Sequence, residues 1–63
     1  MCLSTVYEVK NPNAALAEYV TGVRVNGDQI VLTDIIGNDV TVRGGITNID
    51  LVKNVITIDA DAR

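Results

Sequence analysis

Turn-forming pairs recur about every six to ten residues along this chain, between short runs rich in Val, Ile and Leu, a rhythm typical of a small barrel or meander of strands. The clearest instance is Asn26-Gly27, set between Val23-Arg24-Val25 and Gln29-Ile30-Val31-Leu32. An Asn-Gly pair between alternating apolar runs predicts a hairpin closed by a type I′ turn, because both central residues of that turn need positive φ. Gly37-Asn38 predicts a second hairpin, joining residues 32–36 to Asp39–Arg43. Gly44-Gly45 breaks that strand, residues 46–51 read as the next, and Lys53-Asn54 turns into Val55–Asp59.

The start of the chain reads as a first strand over residues 2–9. Its odd positions, Leu3, Thr5, Tyr7 and Val9, are greasier than Cys2, Ser4, Val6 and Glu8, so the odd face is expected to look inward and Cys2 to point away from the core. Residues 10–13 are expected to be a loop, since Pro12 fixes φ and Asn11 and Asn13 tolerate turn geometry. Residues 14–18 fit either one helical turn or a loose strand, and β-branched residues return over 19–25. The last four residues, 60–63, are expected to fray. The expectation is an all-β chain forming one small domain over residues 1–63, with five or six antiparallel strands as a small barrel or two short packed sheets.

Sixty-three residues build a marginal core, because a chain this short buries only about 60% of the surface its unfolded form exposes. With one cysteine and no histidine, an intrachain disulfide and the common zinc patterns are both excluded. Association with a second copy is the remaining support. The net charge is −3, and the five cations Lys10, Arg24, Arg43, Lys53 and Arg63 are scattered. Nucleic acid rewards a basic patch, and single strands also reward aromatic platforms; with only Tyr7 and Tyr19 as aromatics, nucleic acid is not an expected partner. No apolar run reaches the roughly 18 residues of a membrane span. The opening residues lack a basic region followed by an apolar one, and a single thiol suits a reducing compartment, so a cytoplasmic location is expected.

Catalytic patterns are absent from the sequence: no nucleophile elbow, no phosphate-cradling glycine loop, no spaced cysteine pair. Asp28, Asp34, Asp39 and Asp50 stand beside turns, where aspartates cap the backbone. So short a chain has little wall for a pocket, and enzymatic activity is not expected. Cys2 is different because of its position. With Met1 removed, the α-amine and thiol of Cys2 close a five-membered chelate ring. With Met1 retained, its amine, the Cys2 amide nitrogen and the Cys2 sulfur form two fused rings. An α-amine of pKa about 7.7–8.0 loses its proton readily near neutrality, and a metal displaces the thiol proton. Nitrogen and thiolate donors in a plane favour Ni(II) or Cu(II) over hard cations. The bland alternative is a small buried hydrophobe at a strand start. A two-fold dimer that paired two Cys2 thiolates would complete a four-coordinate site.

The opening Met1-Cys2-Leu3-Ser4-Thr5-Val6-Tyr7, in a chain of this length, resembles the CooT family of small nickel-binding proteins associated with maturation of the nickel-containing carbon monoxide dehydrogenase. The likeness extends loosely through residues 22–32, with their Asn-Gly turn, to residues 46–59. The resemblance implies a homodimer of small β domains that binds Ni(II) through Cys2. On this reading the metal ligands are Cys2, with backbone nitrogens at Met1, Cys2 or Leu3. The function is that of a nickel chaperone or store, with a nickel-dependent client enzyme. The competing reading is a small β-barrel module that binds protein or RNA without metal.

Overall fold

A computed structural model of the chain describes residues 3–60, which form six strands and no helix. In chain order these are β1 (Ser4–Glu8), β2 (Asn11–Asn26), β3 (Gln29–Asp34), β4 (Asp39–Arg43), β5 (Gly45–Asp50) and β6 (Val55–Asp59). They hydrogen-bond in one sheet of order β4-β3-β2-β1-β6-β5. The all-β expectation holds, but the strands form one sheet that does not close, neither a barrel nor two packed sheets, and β1 and β6 run parallel while every other pair is antiparallel. Short turns force neighbouring strands to run antiparallel. The first and last strands share no turn, and nothing local dictates their relative direction.

β2 holds the sheet together. Its 16 residues pair first with β1 and then with β3, and Val20 is the shared point, opposite both Ser4 and Asp34. The strand is continuous through residues 11–18, so the expected loop shrinks to Val9-Lys10 and the ambiguous stretch resolves as strand. Glu8 sits opposite Asn11 and accepts the Lys10 N–H through Oε2 at 2.9 Å, which closes the turn without help from Pro12.

The sheet curls around one core. Val6 from β1, Val20 from β2, Ile30 and Leu32 from β3, and Ile56 and Ile58 from β6 form a single buried cluster, so the two wings flanking β2 face each other. β4 passes into β5 through Gly44, where φ is +148° and a Cβ would clash with the Asp59 carbonyl oxygen. The Gly44 N–H also donates to the Asp28 carbonyl at 2.7 Å. Gly44 therefore makes the expected bend between β4 and β5, whereas Gly45 already belongs to β5.

The inward face of β1 is the opposite of the one hydrophobic content suggests. Val6 is fully buried, whereas Val9 is 42% exposed and Leu3, Thr5 and Tyr7 are only half-buried. One even residue decides the parity because Val6 lies beside Ile56 on β6, itself buried. Counting greasy residues along five positions could not anticipate that partner.

The Asn26-Gly27 hairpin is present, but Asn26 pairs with Gln29 and the two loop residues are Gly27 and Asp28. Gly27 has φ +62° and Asp28 does not share the positive φ, the pattern of a type II′ turn with glycine in first place rather than the expected type I′. The second hairpin is also present, with residues 35–38 as its loop, so Ile35 and Ile36 leave the strand. Gly37 supplies φ +89° there.

Candidate metal centre

Met1 and Cys2 lie outside the described residues, as do residues 61–63 at the other terminus. Leu3 is described: it is half-buried and precedes the first register pair, Ser4 with Val20. Cys2 was expected opposite the core from an inward odd face, but Val6 is the buried residue of β1 and the odd face is not the inward one. What the fold does establish is the surroundings of Leu3 and the start of β1. The Thr5 N–H donates to the Asn54 carbonyl at 2.9 Å, so β1 starts against the turn between β5 and β6. On its other side Ser4 faces Val20, which faces Asp34.

This transverse row carries an apolar fringe, all of it but Val52 expected in strands. Ile35 donates its N–H to the Tyr19 carbonyl at 2.9 Å. Tyr19, Ile35 and Ile36 are 60%, 57% and 79% exposed; Leu51 and Val52, in the turn beside Asn54, are 81% and 93% exposed. They include the four most exposed of the large apolar side chains among the described residues, Tyr19, Ile36, Leu51 and Val52. The signal was present in the sequence, as apolar pairs immediately before Gly37 and before Lys53-Asn54. Tyr19 also holds φ +57°, a region costly for a residue with a Cβ.

The turn carboxylates are engaged elsewhere. Asp34 Oδ1 accepts the N–H groups of Ile36 and Asn38 at 3.0 and 2.9 Å. Asp50 Oδ1 accepts those of Val52 and Lys53, both at 3.0 Å. Asp28 and Asp39 do not cap; they pair across strands, Asp28 with Arg43 at 3.0 Å and Asp39 with Arg24 at 3.3 Å. Asp39 also accepts the Thr33 hydroxyl at 2.7 Å. Among the described residues no three His, Cys, Asp or Glu side chains converge on a point that could hold a metal ion. No helix among them is long and apolar enough to cross a membrane.

A family model described as CO dehydrogenase accessory protein CooT matches residues 1–59. The chain belongs to the CooT family. The match takes in the whole sheet and also Met1 and Cys2, which the fold alone leaves undescribed. CooT membership implies an accessory role to carbon monoxide dehydrogenase, a nickel enzyme. No curated protein matches the sequence. For a CooT chain with no histidine and a single cysteine, the donor set fits a borderline metal: one thiolate and amine or amide nitrogens from the same terminus.

Proposed function

We propose that this CooT-family chain is a nickel-binding accessory protein that stores or delivers Ni(II) during maturation of carbon monoxide dehydrogenase, and that it catalyses no reaction itself. Nickel is its cargo. Cys2 supplies the thiolate, with backbone nitrogens at Met1, Cys2 or Leu3 as co-ligands. Two copies share one ion, since one terminus offers too few donors for four-coordinate nickel. A single thiol suits a reducing compartment such as the cytoplasm.

The observation that carries the reading is the family match across residues 1–59 of a chain whose one soft anionic donor is Cys2. Two further features support it. The turn aspartates are hydrogen-bonded or ion-paired within the sheet, which leaves no competing carboxylate cluster among the described residues. Tyr19 precedes Val20, the partner of Ser4, and Leu51 and Val52 share a turn with Asn54, the partner of Thr5; with Ile35 and Ile36 these exposed residues offer apolar surface for a contact between two copies near the start of β1.

Native mass spectrometry with and without added nickel tests this directly, because it reports the state of Met1, the oligomer and the metal count together. The expected result is one nickel per two chains, with a thiolate-to-nickel charge-transfer band in the ultraviolet. Cys2→Ser should abolish tight nickel binding and leave the far-ultraviolet circular dichroism unchanged. Unchanged nickel affinity in that variant would rule the site out.

A further inference from the structure

Asparagine is a chemically labile residue, and a following glycine makes it more so, because no Cβ hinders the approach of the next backbone nitrogen to the side-chain Cγ. The chain has six asparagines, and only Asn26 precedes glycine. Asn11 precedes Pro12, which has no N–H to react. Asn13, Asn38, Asn48 and Asn54 precede residues whose Cβ crowds the attacking nitrogen.

The fold leaves both reacting groups at Asn26-Gly27 accessible. The two residues are exposed, and nothing lies within 4 Å of the place a Gly27 Cβ would take. Among the described residues neither the Gly27 N–H nor the Asn26 side chain makes a hydrogen bond. Asn38 differs: its N–H donates to Asp34 Oδ1 at 2.9 Å and its carbonyl accepts the Asp34 N–H at 3.0 Å. One restraint does act on Asn26. It ends an extended strand, whose backbone turns the side chain away from the next nitrogen, and the ring can close only after ψ of Asn26 rotates. Asn26 opposite Gln29 is the last rung of the β2–β3 ladder, and terminal rungs open locally at far smaller cost than the whole fold.

We propose that Asn26 is a site of spontaneous deamidation, gated by opening of the terminal Asn26–Gln29 rung. Base removes the Gly27 amide proton, and the nitrogen forms a bond to Asn26 Cγ. The Cγ–Nδ2 bond breaks and ammonia leaves, giving a five-membered succinimide. Water then opens the ring. Addition at Cγ gives aspartate at position 26, and addition at the backbone carbonyl carbon gives isoaspartate, with the main chain running through the side-chain methylene. The net change is amide plus water to carboxylic acid plus ammonia, with no oxidant or cofactor.

The two products have different consequences for the sheet. Asn26 stands opposite Gln29, and Gln29 opposite Arg43. Arg24, two residues back, shares that face. A carboxylate on the side chain of residue 26 therefore joins a face that carries two arginines, and the aspartyl product keeps the fold. The isoaspartyl product adds one carbon to the backbone inside the last rung. A two-residue loop can then no longer close the hairpin in register. Cys2 has no part in this reaction, so it stands or falls apart from the nickel reading.

The test incubates metal-stripped full-length protein in mildly alkaline buffer, with a parallel sample in urea. Intact mass, peptide mapping and isoaspartyl methyltransferase labelling follow both. In native buffer Asn26 alone is expected to convert, to both products. The rate should be about tenfold to thirtyfold below that in urea, the factor for breaking one or two hydrogen bonds. Asn26→Gln, whose longer side chain cannot form the five-membered ring, should show no conversion over the same time. Asn26→Asp should keep the wild-type denaturant midpoint, whereas the purified isoaspartyl form should have a lower one. Native protein that stays intact while the urea sample converts completely would overturn the proposal. So would equal conversion at another asparagine, or the same mass gain in Asn26→Gln. An isoaspartyl form of unchanged midpoint would overturn the slipped-hairpin consequence.

Discussion

Between Val20 and Asn26, β2 follows β3 residue for residue after a single extra residue, Thr21. Between Asn11 and Val20 the same strand lies against the much shorter β1 and slips register at three places. The two stretches differ in what their side chains specify. Val23 and Val25 alternate with polar residues and lead into a turn whose glycine is in place, so one register buries more than any other. Residues 14–17 are Ala, Ala, Leu and Ala, which suit either face about equally. Register there is set by tertiary contacts, Val6 with Ala17 and Tyr7 with Ala15, and the surplus chain is taken up as bulges. Bulges bend the strand that carries them, and here the bend lets one strand serve both wings.

The strongest way to break this comparison is at the point where the wings close. Gly44→Ala would place a methyl group against the Asp59 carbonyl, in a backbone conformation that strongly favours glycine. It should cost on the order of 3 kcal/mol or more, enough to unfold much of so small a domain. A denaturant titration of near-normal midpoint would show that the close approach is not needed. Next comes the parity of β1. Val6→Ala should cost about 1.5–3 kcal/mol, and Thr5→Ala should stay within about 0.5 kcal/mol; the reverse order would restore the odd-face reading.

The regular hairpin offers a smaller effect. Gly27 has φ +62° but open space around its Cβ position, so Gly27→Ala should cost only about 1–2 kcal/mol, the backbone penalty without a clash. A larger loss would mean the turn governs more than its own hairpin. The smallest change is expected in the bulged stretch. Tyr19→Asn replaces a strained exposed residue with one that accepts left-handed φ, and a gain of about 0.5–1 kcal/mol should follow in the melting temperature or denaturant midpoint. A loss would mean that the Tyr19 ring packs where its exposure suggests it does not.

Local chemistry accounts for what was legible. Both glycine-centred hairpins, the break at Gly44 and the β6 bounds were readable because turn residues carry their conformational reason with them. Asp34 and Asp50 were readable as caps for the same reason. The β1–β6 pairing was not, since no turn connects these strands, and the inward face of β1 depends on that pairing. Gly27 was found, but its turn type was not, because Asn26 can serve either as the first loop residue or as the last strand residue. For the candidate site, the sequence singled out the thiol. It missed the apolar fringe, because Ile35-Ile36 and Leu51 read as strand ends until the register places them in turns.

Gly44 has a consequence for how this chain can be divided. The residue ends the hairpin wing of β3 and β4 and lies within atomic contact of the end of β6, so neither wing has a complete inner surface without the other. A fragment stopping at residue 43 would keep a well-formed hairpin and lose the surface it folds upon. The protein should melt in one step, and proteolysis should yield either intact chain or small peptides, with no stable half.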